Sequence, residues 1–167
     1  MEISAWVGLG ANLGDAAHAL RAAAAALGAL PQTVLAALSS VYRSAPIDSR
    51  GPDYLNAVAL LQTDLSAPAL LAELQRIERE HGRERPYRNA PRTLDLDLLV
   101  YAGECIATPA LTLPHPRAHL RAFVLRPLAE IAPELELPGR GCVTDLLTRV
   151  ADQRIEKVSL PEWTPLP

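Results

Sequence analysis

Two cysteines are all that the 167 residues contain, and Cys105 and Cys142 lie far apart and outside any CxxC pair. That excludes a disulfide framework and gives no sign of a zinc site. No apolar run approaches the roughly 20 uncharged residues of a membrane span. The opening residues, MEISAWVGLG, have neither a basic leader nor a secretory core. The chain is therefore expected in the cytoplasm, with no membrane partner. Aromatic residues are scarce: one Phe, two Trp and four Tyr. A sheet that stacks RNA bases needs more of them exposed. Lysine is nearly absent, since Lys157 is the one lysine among 16 basic residues. With a net charge of -3 and a pI of about 5.8, a general nucleic-acid binder is not expected. The arginine excess, together with many alanines, also fits a GC-rich coding bias, so only its clustering is informative.

What is present is a chain 49% apolar, long enough to bury a sizeable core, and residues 1–167 are expected to form one domain. Charge concentrates in residues 82–101, GRERPYRNAPRTLDLDLLVY. Arg83, Arg85, Arg88 and Arg92 stand there against a single acid, Glu84, in a loop shaped by glycine and two prolines. A half-buried strand pattern follows, with Leu94, Leu96, Leu98 and Val100 on one face and Thr93, Asp95, Asp97 and Tyr101 on the other. Same-face residues on a strand lie roughly 6.5 to 7 Å apart, so Asp95 and Asp97 carry like charges side by side. Carboxylates in that arrangement suit Mg²⁺, which takes one or two of them and fills its remaining positions with water and phosphate. Arginine forks match phosphate oxygens. The pattern points to a metal-bound polyphosphate; a structural Asp–Arg cluster and a merely solvated loop are the alternatives.

Taken in order, residues 3–9 predict a buried strand. Glycines at 8, 10 and 14 miss the dinucleotide fingerprint: the third is one residue late, and after Asp15 no acid follows until Asp48. They read instead as a tight strand-to-helix turn, with Asp15 capping a helix over 16–27. A second strand is expected over 33–42, a loop over 47–53, and a third strand over 54–65. Asn56 in that strand needs hydrogen-bond partners, supplied by a ligand, by backbone or by a neighbouring strand. Ser66 caps a second helix with Leu70, Leu71, Leu74 and Ile77 inward, while Glu78, Arg79 and Glu80 read as its solvated face. The order β-α-β-β-α-β predicts an α+β, ferredoxin-like fold, an antiparallel sheet with both helices on one face and the other face open for a site. Beyond it a C-terminal extension is expected. His115 sits between prolines, as a ligand contact or simply exposed. Short helices are expected over 117–125 and 128–131, a small strand over 135–137 and a last helix over 143–150, then a polar tail.

Several segments together resemble one family. GLGANLGD, VYRSAPI, PDYLNAV, RIEREHGR, PRTLDLDLL, LPHPR and RAFVLRPLAEIAPE occur in the order found in 6-hydroxymethyl-7,8-dihydropterin pyrophosphokinases. The resemblance implies transfer of diphosphate from ATP to the pterin hydroxymethyl group in folate biosynthesis, with AMP released. It implies that Asp95 and Asp97 hold two Mg²⁺ ions and that Arg83 and Arg92 neutralise the transferred phosphates. Arg85, Arg88, His115 and Arg121 would hold the triphosphate, and Gln75, Glu78, Leu98 and Thr112 would line the nucleotide site. Tyr54 and Phe123 would sandwich the pterin, whose polar edge is read by Asn56 and by backbone near Ser44, Ala45 and Ile47, with Asp95 alongside. A monomer acting on these two small molecules is expected. Two departures stand out: Asn89-Ala90 replaces Trp-Gly, removing an aromatic lid contact, and Ala11 replaces a serine, which is expected to cost one hydrogen bond. A ferredoxin-like ligand-binding or regulatory module, and another Mg²⁺-dependent phosphotransferase, are the competing readings.

Overall fold

Alternation of apolar and small residues places the first strand, β1 (Ile3–Ala11), at the centre of the sheet. Ala5, Val7, Leu9 and Ala11 are buried on one side, while Trp6, Gly8 and Gly10 take the other by the two-residue period. The strand runs two residues further than expected, so Gly10 joins Gly8 in it and is not part of the turn. These features come from a computed structural model that describes residues 2–12, 15–45, 52–81 and 94–166. The expected 47–53 loop and the arginine loop lie largely outside the described residues.

Alanine-rich sequence favours helix, and α1 (Ala16–Gly28) forms with the Asp15 carboxylate accepting the His18 N–H at 2.9 Å. Its buried stripe is Ala19, Leu20, Ala23 and Leu27. The expected second strand divides into β2 (Thr33–Leu38) and β3 (Val41–Ser44). At the break, the Ser39 hydroxyl accepts from the Val58 N–H at 2.9 Å and donates to the Ser40 carbonyl at 2.8 Å. Such side-chain bonds compete with the ladder and interrupt it. Both pieces pair with β4 (Tyr54–Thr63), which pairs with β1. Helix α2 (Ala67–His81) starts where the Ser66 hydroxyl accepts the Ala69 N–H at 3.2 Å, and it leads to β5 (Asp95–Tyr101) on the other side of β1. All pairings are antiparallel.

Helices α1 and α2 cover one face, packing Leu20, Leu27, Leu70, Leu74 and Ile77 onto Val7, Leu9, Leu61, Leu96 and Leu98. The expected open face is in fact partly covered. After β6 (Ile106–Ala107), β7 (Thr112–Leu113) and a 3₁₀ turn (Ala118–Leu120), helix α3 (Ala122–Ile131) lies against it. The hairpin β8 (Glu136–Leu137) and β9 (Gly141–Cys142) and helix α4 (Val143–Thr148) complete that layer. Leu125, Leu128 and Leu146 pack there with Val58, Leu99 and Val100. Instead of two helical pieces around residue 127, α3 is continuous through Pro127; burial of Leu125, Pro127 and Leu128 offsets the donor that proline lacks.

The alternation expected along β5 also changes. The register with β1 slips at Leu99, where Trp6 faces Val100 and Val7 faces Leu98. This bulge sends Val100 to the α3 side and Tyr101 to the α1–α2 side, the reverse of the uninterrupted pattern. Tyr101 then donates its hydroxyl to the Leu65 carbonyl at 2.6 Å. Nor is the C-terminal segment a loose polar tail. Strand β10 (Glu156–Val158) pairs with β3, the Trp163 indole N–H donates to the Ser39 carbonyl at 2.9 Å, and Leu166 exchanges backbone bonds of 2.8 and 2.9 Å with Leu38. The segment covers donors and acceptors that an edge strand would leave open.

Glu130 ties α3 to the sheet. Its carboxylate accepts the Ser40 N–H and hydroxyl, each at 3.0 Å, and the Tyr42 hydroxyl at 2.6 Å. Burial, then the bond to Glu130, pushes the Tyr42 hydroxyl up to a pKa of about 12. Glu130→Ala should lower unfolding free energy by about 1–3 kcal/mol, because it leaves the Tyr42 hydroxyl and the Ser40 N–H without their acceptor. Urea unfolding checks this, and an unchanged midpoint would contradict it.

Candidate active site

The two carboxylates on β5 face glycines. Asp97 is the cross-strand partner of Gly8, and Asp95 of Gly10. Opposed residues on neighbouring strands bring their side chains within about 5 Å, and with no side chain opposite, this face stays open. Here lies a cavity of about 250 Å³, with Gly8, Gly10, Asp95 and Asp97 on its wall. A Cβ on either glycine would meet nothing closer than 3.5 Å, so protein packing does not demand glycine there. What a side chain would occupy is cavity.

Three other elements complete this wall: Ser44 and Ala45 at the end of β3, Tyr54 and Asn56 from β4, and Arg121 and Phe123 at the start of α3. Asn56 is buried, and its amide N–H groups donate to the Ser44 hydroxyl at 2.9 Å and the Tyr42 carbonyl at 3.3 Å. Because a carbonyl can only accept, these bonds fix which end of the amide is which. The Asn56 Oδ1 is directed at Gly10, 3.6 Å from where a Cβ would stand. The Arg121 guanidinium lies 5.4 Å from the centre of the Phe123 ring, a cation–π contact. That segment is held from the far end of the chain: Gln153 accepts the Ala122 N–H at 2.8 Å and donates to the Leu120 carbonyl at 2.9 Å.

A second cavity, also of about 250 Å³, opens beside the first and is lined by Leu71, Leu98, Leu111, Thr112, His115 and Pro116 among others. Asp97 is on both walls. His115 is anchored by its N–H donating to the Leu99 carbonyl at 2.8 Å, and its Nδ1 accepts the Arg117 N–H at 3.2 Å. The neutral ring therefore carries its proton on Nε2. Burial, then the positive charges of Arg121 and Arg117, hold its pKa below the ordinary value of 6.5.

The structure thus gathers Ser44, Ala45, Tyr54, Asn56, Asp95 and Phe123 around one cavity and Leu98, Thr112 and His115 around the other. Arg121, grouped with the triphosphate in the sequence, stands on the first cavity. Gln75 is exposed on α2. Glu78, read as part of a solvated helix face, is 5% exposed and accepts the Leu96 N–H at 2.9 Å. Ile47, Arg83, Arg85, Arg88 and Arg92, with Asn89-Ala90, lie outside the described residues. Ala11 is buried in the core on the helix side, away from the cavity wall. Gly8, Gly10, Leu99 and Val124 also line the first cavity, and none of them was expected there from the sequence. Alternation along residues 3–11 was the signal that could have placed the two glycines on the Asp face.

Comparison with known proteins agrees with this geometry. The model of the 7,8-dihydro-6-hydroxymethylpterin-pyrophosphokinase family matches residues 6–133. The chain is 46% identical over 158 residues to the 2-amino-4-hydroxy-6-hydroxymethyldihydropteridine pyrophosphokinase of Haemophilus influenzae, covering 94% of this chain and 99% of that one. It is 42% identical over 154 residues to the protein of the same name from Pseudomonas aeruginosa, covering 92% and 95%. Among solved structures, it resembles an HPPK-DHPS in complex with substrates, with a TM-score of 0.72 and 12% identity over 90% of this chain. It also resembles the Plasmodium falciparum wild-type HPPK-DHPS with pteroate, with a TM-score of 0.73 and 12% identity over 91% of this chain. At that identity the likeness is one of fold. The chain spans 44% and 45% of those two longer proteins.

The lowered His115 pKa has a sign that can be checked. As pH falls below 6.5 the unfolded chain takes up the proton before the folded one does, so stability is present above that pH and is lost on descending toward the folded pKa. The urea midpoint should fall less between pH 7.5 and about 5.5 in His115→Asn than in the parent protein. Equal falls would contradict the assignment.

Proposed function

We infer the reaction from the family: this chain belongs to the 7,8-dihydro-6-hydroxymethylpterin-pyrophosphokinase family, and it transfers the terminal diphosphate of ATP to the hydroxymethyl oxygen of 6-hydroxymethyl-7,8-dihydropterin, releasing AMP, in folate biosynthesis. The observation that carries this reading is Asp97 on the walls of two adjoining cavities. A bisubstrate transfer needs two sites that meet where the bond is exchanged.

The first cavity suits the pterin. Tyr54 and Phe123 offer ring faces to a flat heterocycle, and the Asn56 Oδ1, its amide hydrogens already committed, accepts from the donor edge of that ring. Pterin arrival meets Arg121 over the Phe123 ring, from where its charge can turn to the phosphates. The second cavity suits the nucleotide, with leucine and proline surfaces for the base and the His115 Nε2–H to donate to a phosphate oxygen. Arg83, Arg85, Arg88 and Arg92 supply further charge to the triphosphate, and Gln75 belongs to its surroundings.

Asp95 and Asp97 fit magnesium: both are half-buried, share one face and stand opposite glycines. Two ions held there would neutralise phosphate charge and draw the attacking hydroxyl and the diphosphate together. The chain's own work is to bind, align and shield the reactants, and no Ser or Cys nucleophile is needed.

The strand pairing places β2 and β3 beside β4, then β1, then β5, which supports a ferredoxin-like core with a C-terminal extension. Residues 1–167 then act as one pyrophosphokinase domain, a cytoplasmic monomer that takes small molecules and neither nucleic acid nor membrane. Among the described residues no helix is long and apolar enough to cross a membrane.

Incubation with Mg²⁺, ATP and the pterin, followed by nucleotide separation, should give AMP only when the pterin is present. Asp97→Ala should keep its fold and lose most of that turnover. ADP in place of AMP would contradict diphosphate transfer, and a fully active Asp97→Ala would contradict the metal assignment.

A further inference from the structure

Glu78 has no place on the wall of either cavity described above, yet it is 5% exposed in a helix whose neighbouring acids, Glu73 and Glu80, pair with Arg76 at 2.8 and 2.9 Å near the surface. Burying a carboxylate is costly unless it is bonded. Its Oε2 accepts the Leu96 N–H at 2.9 Å, and Leu96 is the residue between Asp95 and Asp97. Strand β5 pairs with β1 on one side, and a Leu96 N–H that reaches a helix side chain points away from that ladder. The carboxylate thus takes an edge donor from the Asp95–Leu96 peptide, one of the two peptides that link the aspartates.

We propose that Glu78 is a positioning residue for the Asp95–Asp97 pair and not a nucleotide contact. By fixing the Asp95–Leu96 peptide, it holds the middle of the Asp95–Leu96–Asp97 segment and so keeps both carboxylates at the spacing a shared cation requires. Bonds that hold a metal ligand from behind orient it, and their loss typically changes metal affinity or activity about 10–100-fold. The side chain shape matters as much as the charge: glutamine keeps a carbonyl acceptor for the Leu96 N–H, and alanine keeps none. This rests on the pyrophosphokinase reading, but its first readout does not.

The test compares Glu78→Ala with Glu78→Gln. Amide hydrogen exchange on ligand-free protein should show Leu96 protection falling at least tenfold in Glu78→Ala and largely kept in Glu78→Gln. In steady-state assays Glu78→Ala should raise the half-activating Mg²⁺ concentration and lower kcat, each about tenfold or more, with KM for ATP changed less than threefold. Glu78→Gln should recover most of kcat. A Glu78→Ala enzyme with normal kcat and Mg²⁺ dependence despite lost Leu96 protection would overturn the proposal. So would a raised KM for ATP at unchanged kcat, which marks a direct nucleotide contact. If the alanine variant fails to fold, the glutamine variant decides: Leu96 protection kept with kcat lost at least tenfold would show that charge, not orientation, is what Glu78 supplies. An inactive parent enzyme would instead refute the pyrophosphokinase reading, leaving the exchange result to stand by itself.

Discussion

Two like charges on one face of one strand are the constraint around which this molecule is arranged. Asp95 and Asp97 repel at a separation of roughly 6.5 to 7 Å between their Cα atoms, and the fold keeps them together on one cavity wall. Gly8 and Gly10 opposite them supply no side chain, and the helix layer of α3 and α4 covers other parts of that face. The reverse face of the same strand is apolar and sealed by α1 and α2. A strand that is buried behind and faces glycines in front holds its charged groups rigidly on the cavity wall.

The surrounding elements serve that geometry from several distances in sequence. Asn56 is oriented by bonds to β3, the Arg121–Phe123 segment is held by Gln153 from near the C-terminus, and His115 is hung from the carbonyl of Leu99 at the β5 bulge. The bulge has a further effect. Leu99 keeps the face of the aspartates, at the first cavity, while the bulge turns Val100 to that same side and Tyr101 into the helix-side core, so the strand changes its allegiance between faces just after the aspartates.

Much of this was legible in the residues. Period-two alternation in 3–9 and 54–61, the alanine run after Asp15, and the leucine stripe of 70–77 each have one reading, and the structure follows them. Asp95 and Asp97 share a face as their spacing requires. The bulge was not legible, because residues 98–100 are Leu-Leu-Val and any face assignment satisfies an all-apolar run. Glu78 looked solvated because it sits among Arg79, Glu80 and His81, but the helical period that buries Leu70, Leu74 and Ile77 puts it on the same stripe, where it meets the N–H of Leu96, 18 positions further on. The tail likewise looked polar and free, since a three-residue edge strand is specified by the donors it meets and not by its own side chains. Gly10 was read as a turn former because glycine signals turns more often than it lines a cavity.

The most direct test of the account is to locate the metal. Crystals of the protein with Mn²⁺ in place of Mg²⁺, a non-hydrolysable ATP analogue and the pterin should show anomalous peaks within coordination distance of both Asp95 and Asp97, between a nucleotide in the cavity of Thr112 and His115 and a pterin beside Asn56. Manganese bound elsewhere, or both ligands sharing a single cavity, would contradict it.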